Sequence, residues 1–155
     1  RPDSFRVERS ARIQAPPERI FALINDLHQF NRWNPYEKKD PAIKGTYGKT
    51  TVGPGAHYGW VSNEVGVGSM EITEVSAPSR VLMRLDFIKP METSSQAEFT
   101  LKPLADQGTE IVWSMQGPAP YVSKLMGVLF NMDKMIGKDF EDGLANLKVL
   151  AEQKS

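Results

Sequence analysis

The stretch YVSKLMGVLFNMDKMIGKDFEDGLANLKVLAEQK, residues 121–154, decides the fold of this chain. Its apolar side chains recur every three or four residues, at Leu125, Leu129, Met132, Ile136, Phe140, Leu144, Leu147 and Ala151. This spacing is close to the 3.6-residue period of an α-helix and predicts one long helix from Tyr121 to Lys154. Such a helix must cover a large apolar surface. Since no other segment predicts a helix of that length, we expect the surface to be a sheet.

The composition is that of an ordinary globular protein. The 155 residues, 40% hydrophobic and 25% charged, predict a single domain, 1–155. Lysine plus arginine equal aspartate plus glutamate at 19 each, which argues against nucleic-acid binding. There are no cysteines, so disulfides, thiolate nucleophiles and cysteine-bound metals are excluded. No apolar run reaches the ~18 residues of a transmembrane helix.

A first strand is predicted from Phe5 to Ile13, because apolar and polar residues alternate along it. Arg9 falls on the apolar side of that pattern. It either extends to solvent at a strand end or forms a paired arginine in a cavity.

Two short helices are predicted next. Pro16-Pro17 opens the first, which ends near Asn25-Asp26. The second covers His28 to Trp33, and Asn34-Pro35 closes it because a residue before proline is disfavoured in the α conformation. Glu37 to Pro41 is predicted to be a solvated loop.

Short strand patterns separated by turn signals fill the region up to the long helix. We predict strands at about 43–50, 56–63, 67–76, 80–89, 94–103 and 108–117. Their short turns are typical of an antiparallel meander. The predicted fold is α+β, a seven-stranded bent antiparallel sheet wrapped around the long C-terminal helix, with two short helices after strand 1. A sheet rolled in this way leaves a cavity between helix and sheet.

Several phrases resemble the START-related (SRPBCC) superfamily, which includes polyketide cyclases, pollen-allergen-like proteins and lipid-transfer domains. They are APPERIF at 15–21, WNPY at 33–36, FTL at 99–101, GTEIVW at 108–113 and GLANLK at 143–148. The resemblance covers about residues 5 to 152 and implies the helix-grip fold. The superfamily mixes enzymes with binders, so the resemblance implies no single reaction.

The group that the chain resembles most, bacterial-type members of this superfamily, often carries an N-terminal hydrophobic segment. The resemblance therefore implies that a membrane anchor could precede Arg1, which stands where a starting Met is usual.

No metal or cofactor site is predicted. His28 and His57 are isolated, without the spacings of a metal site, and we expect both to face outward. No serine lies in a Gly-x-Ser-x-Gly elbow, so a triad nucleophile is unsupported.

Asp133 is the candidate for acid–base chemistry, because it falls within the apolar stripe of the long helix. A carboxylate facing an apolar cavity has a raised pKa and can act as an acid or base. Alternatively, the helix is interrupted near Asn131 and Asp133 caps it or forms a local salt bridge. Asp86, Glu71 and Glu98 are expected to be outward charges on the strands.

Aromatic and methionine side chains at inward positions predict the ligand-binding surface. Methionine suits a promiscuous apolar pocket, while Trp and Tyr offer a polar tip that orients a ligand. The alternative for each residue is a place in the core. The predicted set is Trp33, Tyr36, Tyr58, Trp60, Phe87, Trp113, Met115, Met126, Met132, Ile136 and Phe140.

The long helix is expected to have two parts. Gly127 and Asn131 weaken it near its start, and Asp133 interrupts its stripe. We therefore predict a firm clamp on the sheet from Asp133 to Glu152, and a looser lid over the cavity mouth from Tyr121 to Phe130.

Three functions remain open. The first is a binding module for a lipid-like or aromatic small molecule. The second is a polyketide cyclase or dehydratase with Asp133 as base and Tyr58 or Tyr36 as hydrogen-bond donor. The third is a chaperone-associated interaction domain with a filled core. A large cavity without titratable groups favours the binder, and a carboxylate hydrogen-bonded to a tyrosine in the cavity favours the enzyme. A filled core with an exposed apolar patch favours the third.

Overall fold

The computed structural model describes residues 4–118 and 128–153. Its strands are β1 (Ser4–Ile13), β2 (Lys44–Tyr47), β3 (His57–Ser62), β4 (Gly66–Ser76), β5 (Arg80–Lys89), β6 (Thr93–Pro103) and β7 (Thr109–Pro118). They form one antiparallel sheet in the order β1-β7-β6-β5-β4-β3-β2, so β2 to β7 are a meander and β1 pairs with β7. The predicted α+β helix-grip architecture is confirmed, and the strand bounds shift by at most three residues.

Three short helices follow β1, where two were predicted: α1 (Pro17–Asn25), α2 (Leu27–Phe30) and α3 (Pro35–Lys39). Asn34-Pro35 begins a helix instead of closing one. Proline holds Asn34 outside the α conformation (φ −57°, ψ 118°), which is what an N-cap residue requires, and the Asn34 side chain accepts a hydrogen bond from the Tyr36 N–H. The predicted loop at Glu37 is therefore helical.

The long helix, α4, runs without a break from Val128 to Ala151. The predicted interruption near Asn131 is wrong, and so is the division at Asp133, because Val128 to Phe130 belong to the same helix as the clamp. The remainder of the predicted lid, Tyr121 to Gly127, lies outside the described residues, as does Lys154.

Gly143 lets α4 lie close to the sheet and to α3. A Cβ atom there would be 2.8 Å from Cζ3 of Trp113 and 2.9 Å from Cδ of Pro35, closer than real Cβ contacts. One turn earlier, the Phe140 ring stacks on Trp113 with their centroids 3.9 Å apart and their planes 6° apart. The glycine within the apolar stripe is thus a packing requirement of this contact.

An aromatic cluster forms the core between α2, β6, β7 and α4. Phe30, Trp33 and Phe99 meet one another edge to face, and Phe99 stacks on Trp113 at 4.9 Å. Trp33 is fully buried, and its indole N–H donates to the Leu23 carbonyl at 2.8 Å. The short helices and α4 pack against this aromatic cluster.

The outer face of the sheet is charged, as predicted. Arg84 pairs with Asp86 on its own strand at 2.9 Å and with Glu71 on β4 at 3.4 Å. Arg80 pairs with Glu98 on β6. Among the helices that the structure describes, none is long and apolar enough to cross a membrane.

Candidate functional site

A cavity of about 480 Å³ lies between the inner face of the sheet and the helices α3 and α4. Its size falls within the ~300–1,000 Å³ of small-molecule sites. Most of its wall is apolar, from inward-facing strand residues and one face of α4. The described part of the chain therefore does not have the filled core that the interaction-domain hypothesis requires.

Most of the predicted ligand-binding residues line this cavity. They are Tyr36, Tyr58, Trp60, Phe87, Trp113, Met115, Met132, Ile136 and Phe140. Their contact with a ligand remains a prediction. Two members of the set differ. Trp33 does not line the cavity, because it is fully buried within the aromatic cluster. Met126 lies outside the described residues.

Further apolar lining residues were missed, although strand parity could have found them. The missed residues from the strands include Phe5, Met70, Met83, Leu85, Ala97 and Phe99. Met70 pairs with Tyr58 on one side and Leu85 on the other, while Ala97 pairs with Met83 and Met115. Residues paired across adjacent strands share one face of a sheet, so a register argument from the predicted residues would have reached these too.

Tyr58 and Glu37 form a hydrogen-bonded pair in the cavity wall. The Tyr58 hydroxyl donates to Oε2 of Glu37 at 2.7 Å, a distance typical of a phenol bonded to a carboxylate. Burial, followed by the hydrogen bond and negative charge of Glu37, raises the pKa of Tyr58 well above its ordinary value. The phenol therefore stays protonated and donates a hydrogen bond to the carboxylate.

Tyr36, Asp139 and Lys39 form a second polar group beside the first. Burial, followed by the charge and hydrogen bond of Asp139, raises the pKa of Tyr36 far above its ordinary value. The Lys39 ammonium pairs with Oδ1 of Asp139 at 2.9 Å, and the Asp139 side chain is only 13% exposed. We call Tyr36, Glu37, Lys39, Tyr58 and Asp139 the polar patch, since all five line the cavity and are linked by these contacts.

Local sequence explains how the polar patch is held. Helix α3 carries three of its members and begins at the Asn34 cap, whose amide also donates to Oδ1 of Asn31 at 3.0 Å. On β2, Gly45 leaves space for the Tyr58 ring, because a Cβ there would overlap the phenol hydroxyl. Glu37 was missed as a cavity carboxylate because α3 was predicted to be a loop, whereas Asp139 lies on α4.

Asp133 does not face the apolar cavity, which corrects that prediction. Its carboxylate is half-exposed and pairs with Arg9 at 3.3 Å. Arg9 also pairs with Glu141 at 2.9 Å, and its guanidinium lies against Gly137, where a Cβ would overlap it. These groups line a charged groove on the outside of α4. Arg9 is thus paired, and its partners on α4 lie in this groove.

The two histidines form no further site among the described residues. His28 is exposed and stacks on Tyr47 with their centroids 3.8 Å apart, as expected for an outward residue. His57 is half-buried. Within residues 4–118 and 128–153, no three acidic, histidine or cysteine side chains cluster as a metal site.

A family model for "Polyketide cyclase / dehydrase and lipid transport" matches residues 4–152. The chain belongs to this family. This membership and the fold confirm the resemblance to the START-related (SRPBCC) superfamily. No curated protein is similar to this chain in sequence.

Solved structures of similar fold include bacterial proteins. MLL2253 from Mesorhizobium loti is 15% identical with a TM-score of 0.69, and the match covers 97% of this chain and 98% of that one. CalU16 from Micromonospora echinospora is 17% identical with a TM-score of 0.60, covering 97% of this chain and 85% of that one. DynU16, a protein in the dynemicin biosynthetic locus, is 15% identical with a TM-score of 0.66, covering 96% of this chain and 47% of that one. Such low identities establish the shared fold alone.

Proposed function

We propose that this protein binds an apolar small molecule, lipid-like or aromatic, in the cavity between the sheet and α4. The observation that carries the proposal is the cavity itself, about 480 Å³ with a largely apolar wall and one polar patch. An aromatic group of Trp size buries ~150–250 Å². At ~25 cal/mol per Å² that burial contributes roughly 4–6 kcal/mol before the costs of association. The family description, which includes lipid transport, supports the same function.

A cavity-filling substitution tests the proposal. Ala97 lines the cavity, whereas Gln96, its neighbour on β6, is exposed on the outer face. Ala97→Leu is expected to weaken binding of an apolar naphthalene dye at least tenfold, and the matched control Gln96→Leu to leave it unchanged. Dye fluorescence gives the affinities, and native mass spectrometry of protein from its own host detects a resident ligand. Equal dye binding by both variants, with no resident ligand, would overturn the proposal.

The Tyr58–Glu37 pair favours a second candidate, a cyclase or dehydratase acting on a polyketide-like ketone. A carboxylate hydrogen-bonded to a tyrosine within the cavity is the arrangement expected for such an enzyme. Glu37 would take the proton from the carbon next to a carbonyl, and Tyr58 would turn its hydroxyl to the enolate oxygen. In this mechanism Glu37 replaces Asp133 as the base, because Asp133 lies outside the cavity.

Proton exchange separates the two candidates. With 2-acetylnaphthalene in D₂O, the enzyme hypothesis predicts faster loss of the methyl proton signal by NMR. Glu37→Gln should abolish that acceleration while the ketone still binds. If the wild-type protein binds the ketone without accelerating exchange, the enzyme hypothesis fails and the binding function stands.

A further inference from the structure

Two members of the polar patch already bond carboxylates within the protein. The Tyr58 hydroxyl donates its hydrogen bond to Glu37, and the Lys39 ammonium pairs with Asp139 through one of its three N–H donors. A phenol that has donated its single proton retains only acceptor capacity. Tyr58 therefore presents acceptor lone pairs to anything else in the cavity.

Asn34 adds no donor to this surface. Its amide N–H donates to Asn31 at 3.0 Å, and its carbonyl oxygen accepts from the Tyr36 N–H at 3.0 Å. The indole N–H of Trp60 has no partner among the described residues, but the atom is covered and does not form part of the accessible wall. The hydroxyls of Thr93 and Ser95, on β6, can both donate and accept, so they do not select between ligands.

The charges that line the cavity also disfavour an anionic ligand. The carboxylates of Glu37, Glu64 and Asp139 line the cavity, against the single ammonium of Lys39 among its described residues. Glu37 has a second oxygen that does not bond Tyr58 and can accept from a ligand. An anionic head group placed here would meet like charge and acceptor lone pairs in a partly desolvated site, which is a means of rejecting it.

We propose that the cavity selects an apolar ligand whose polar end donates hydrogen bonds, an amine or a hydroxyl, and rejects one that ends in a carboxylate or phosphate. This inference rests on the proposed binding function and names the chemical class of its ligand. The apolar body lies against the Met and aromatic wall. The donor group bonds the second oxygen of Glu37 and the oxygen of Tyr58.

Three probes that share one aromatic body test the selection: 2-naphthylmethylamine, 2-naphthalenemethanol and 2-naphthoate. Isothermal titration at neutral pH is expected to show the amine and the alcohol binding at least tenfold more tightly than the carboxylate. Carboxylate binding as tight as that of the other two would overturn this inference and leave the binding function intact. If none of the three binds, the proposed function fails, and this inference fails with it.

A pair of substitutions locates the selection at the polar patch. Glu37→Gln keeps an acceptor for Tyr58 but removes the charge, and it is expected to weaken the amine at least tenfold while strengthening the carboxylate. Glu71→Gln makes the same change on the outer face of β4 and should alter neither affinity. Circular dichroism melting confirms that both variants fold. An unchanged preference in folded Glu37→Gln would overturn the assignment of selection to this patch.

Discussion

Two glycines of α4 offer a matched test of how the helix is held against the sheet. Replacing either by alanine raises helix propensity by the same ~0.8–1.0 kcal/mol, so any difference between the variants reports packing. At Gly143 the added Cβ would meet Trp113 at 2.8 Å and Pro35 at 2.9 Å, both of them ring atoms. At Gly137 it would meet the guanidinium of Arg9, the far end of a flexible side chain.

The expected magnitudes follow from these contacts. Overpacking costs ~1–3 kcal/mol, so Gly143→Ala should lower the free energy of unfolding by up to about 2 kcal/mol after the gain in propensity. Gly137→Ala displaces Arg9 from ion pairs whose acidic partners are about half exposed, interactions worth ~0.2–1 kcal/mol. Its net effect should therefore lie between zero and about 0.8 kcal/mol of stabilisation.

Urea unfolding followed by tryptophan fluorescence measures both variants, with the midpoints compared at unchanged slope. Gly143→Ala should also weaken binding of a naphthalene probe, because Trp113 and Phe140 line the cavity. If Gly143→Ala is as stable as Gly137→Ala, the close approach of α4 to β7 and α3 does not constrain the fold, and the reasoning is refuted.

Four further predictions concern the contacts of the tyrosines and Arg9. Tyr58→Phe removes the hydrogen bond to Glu37 and should lower the free energy of unfolding by about 1–3 kcal/mol in urea melts, because the carboxylate loses its partner; no loss would mean that this bond is not formed in solution. The raised pKa values of Tyr58 and Tyr36 keep both phenols protonated in the folded state above pH ~10, where the unfolded chain loses those protons. Their contribution to stability is thus complete below pH ~10 and falls above it by up to ~1.4 kcal/mol per pH unit for each tyrosine; alkaline melts of Tyr58→Phe should fall less steeply, and identical slopes would contradict the assignment. Gly45→Ala should displace the Tyr58 ring and reproduce the loss seen in Tyr58→Phe, measured by the same melts, whereas Arg9→Met should cost only ~0.2–1 kcal/mol for each exposed pair.

The sheet could be predicted from sequence because its two faces differ so strongly. On β5, Val81 and Met83 face the interior and alternate with Arg80 and Arg84 on the charged outer face. A shift by one residue would bury those charges, so alternation determines both the strand and its orientation. The same logic placed Tyr58 and Trp60 on the inner face of β3.

Glu37 of the polar patch could not be predicted because its place depends on one ambiguous dipeptide. The rule for a residue before proline applied correctly to Asn34, but a non-helical residue both ends one helix and caps the next. Reading Asn34-Pro35 as an end turned α3 into a loop and removed Glu37 from consideration.

Asp133 shows a different limit of helical periodicity. The period identifies the face of α4 on which Asp133 lies, but it does not tell which element packs against that face. Arg9 on β1 reaches it, and the space for its guanidinium comes from Gly137. Long-range partners of this kind depend on tertiary geometry, which periodicity does not contain.

The placement of the polar patch has a consequence for how the family can diversify. Helix α3, residues 35–39, carries Tyr36, Glu37 and Lys39. Both of its ends are held by side chains that do not belong to the polar patch. Asn34 caps its start, and Asp40 after its end accepts from the Ser62 hydroxyl at 2.6 Å and from the Ala42 N–H at 2.9 Å. A five-residue segment whose two ends are held in this way can be replaced as a unit. Under the proposed binding function, we expect that grafting the equivalent segment of a relative between Asn34 and Asp40 would change ligand preference while leaving the sheet and α4 as they are.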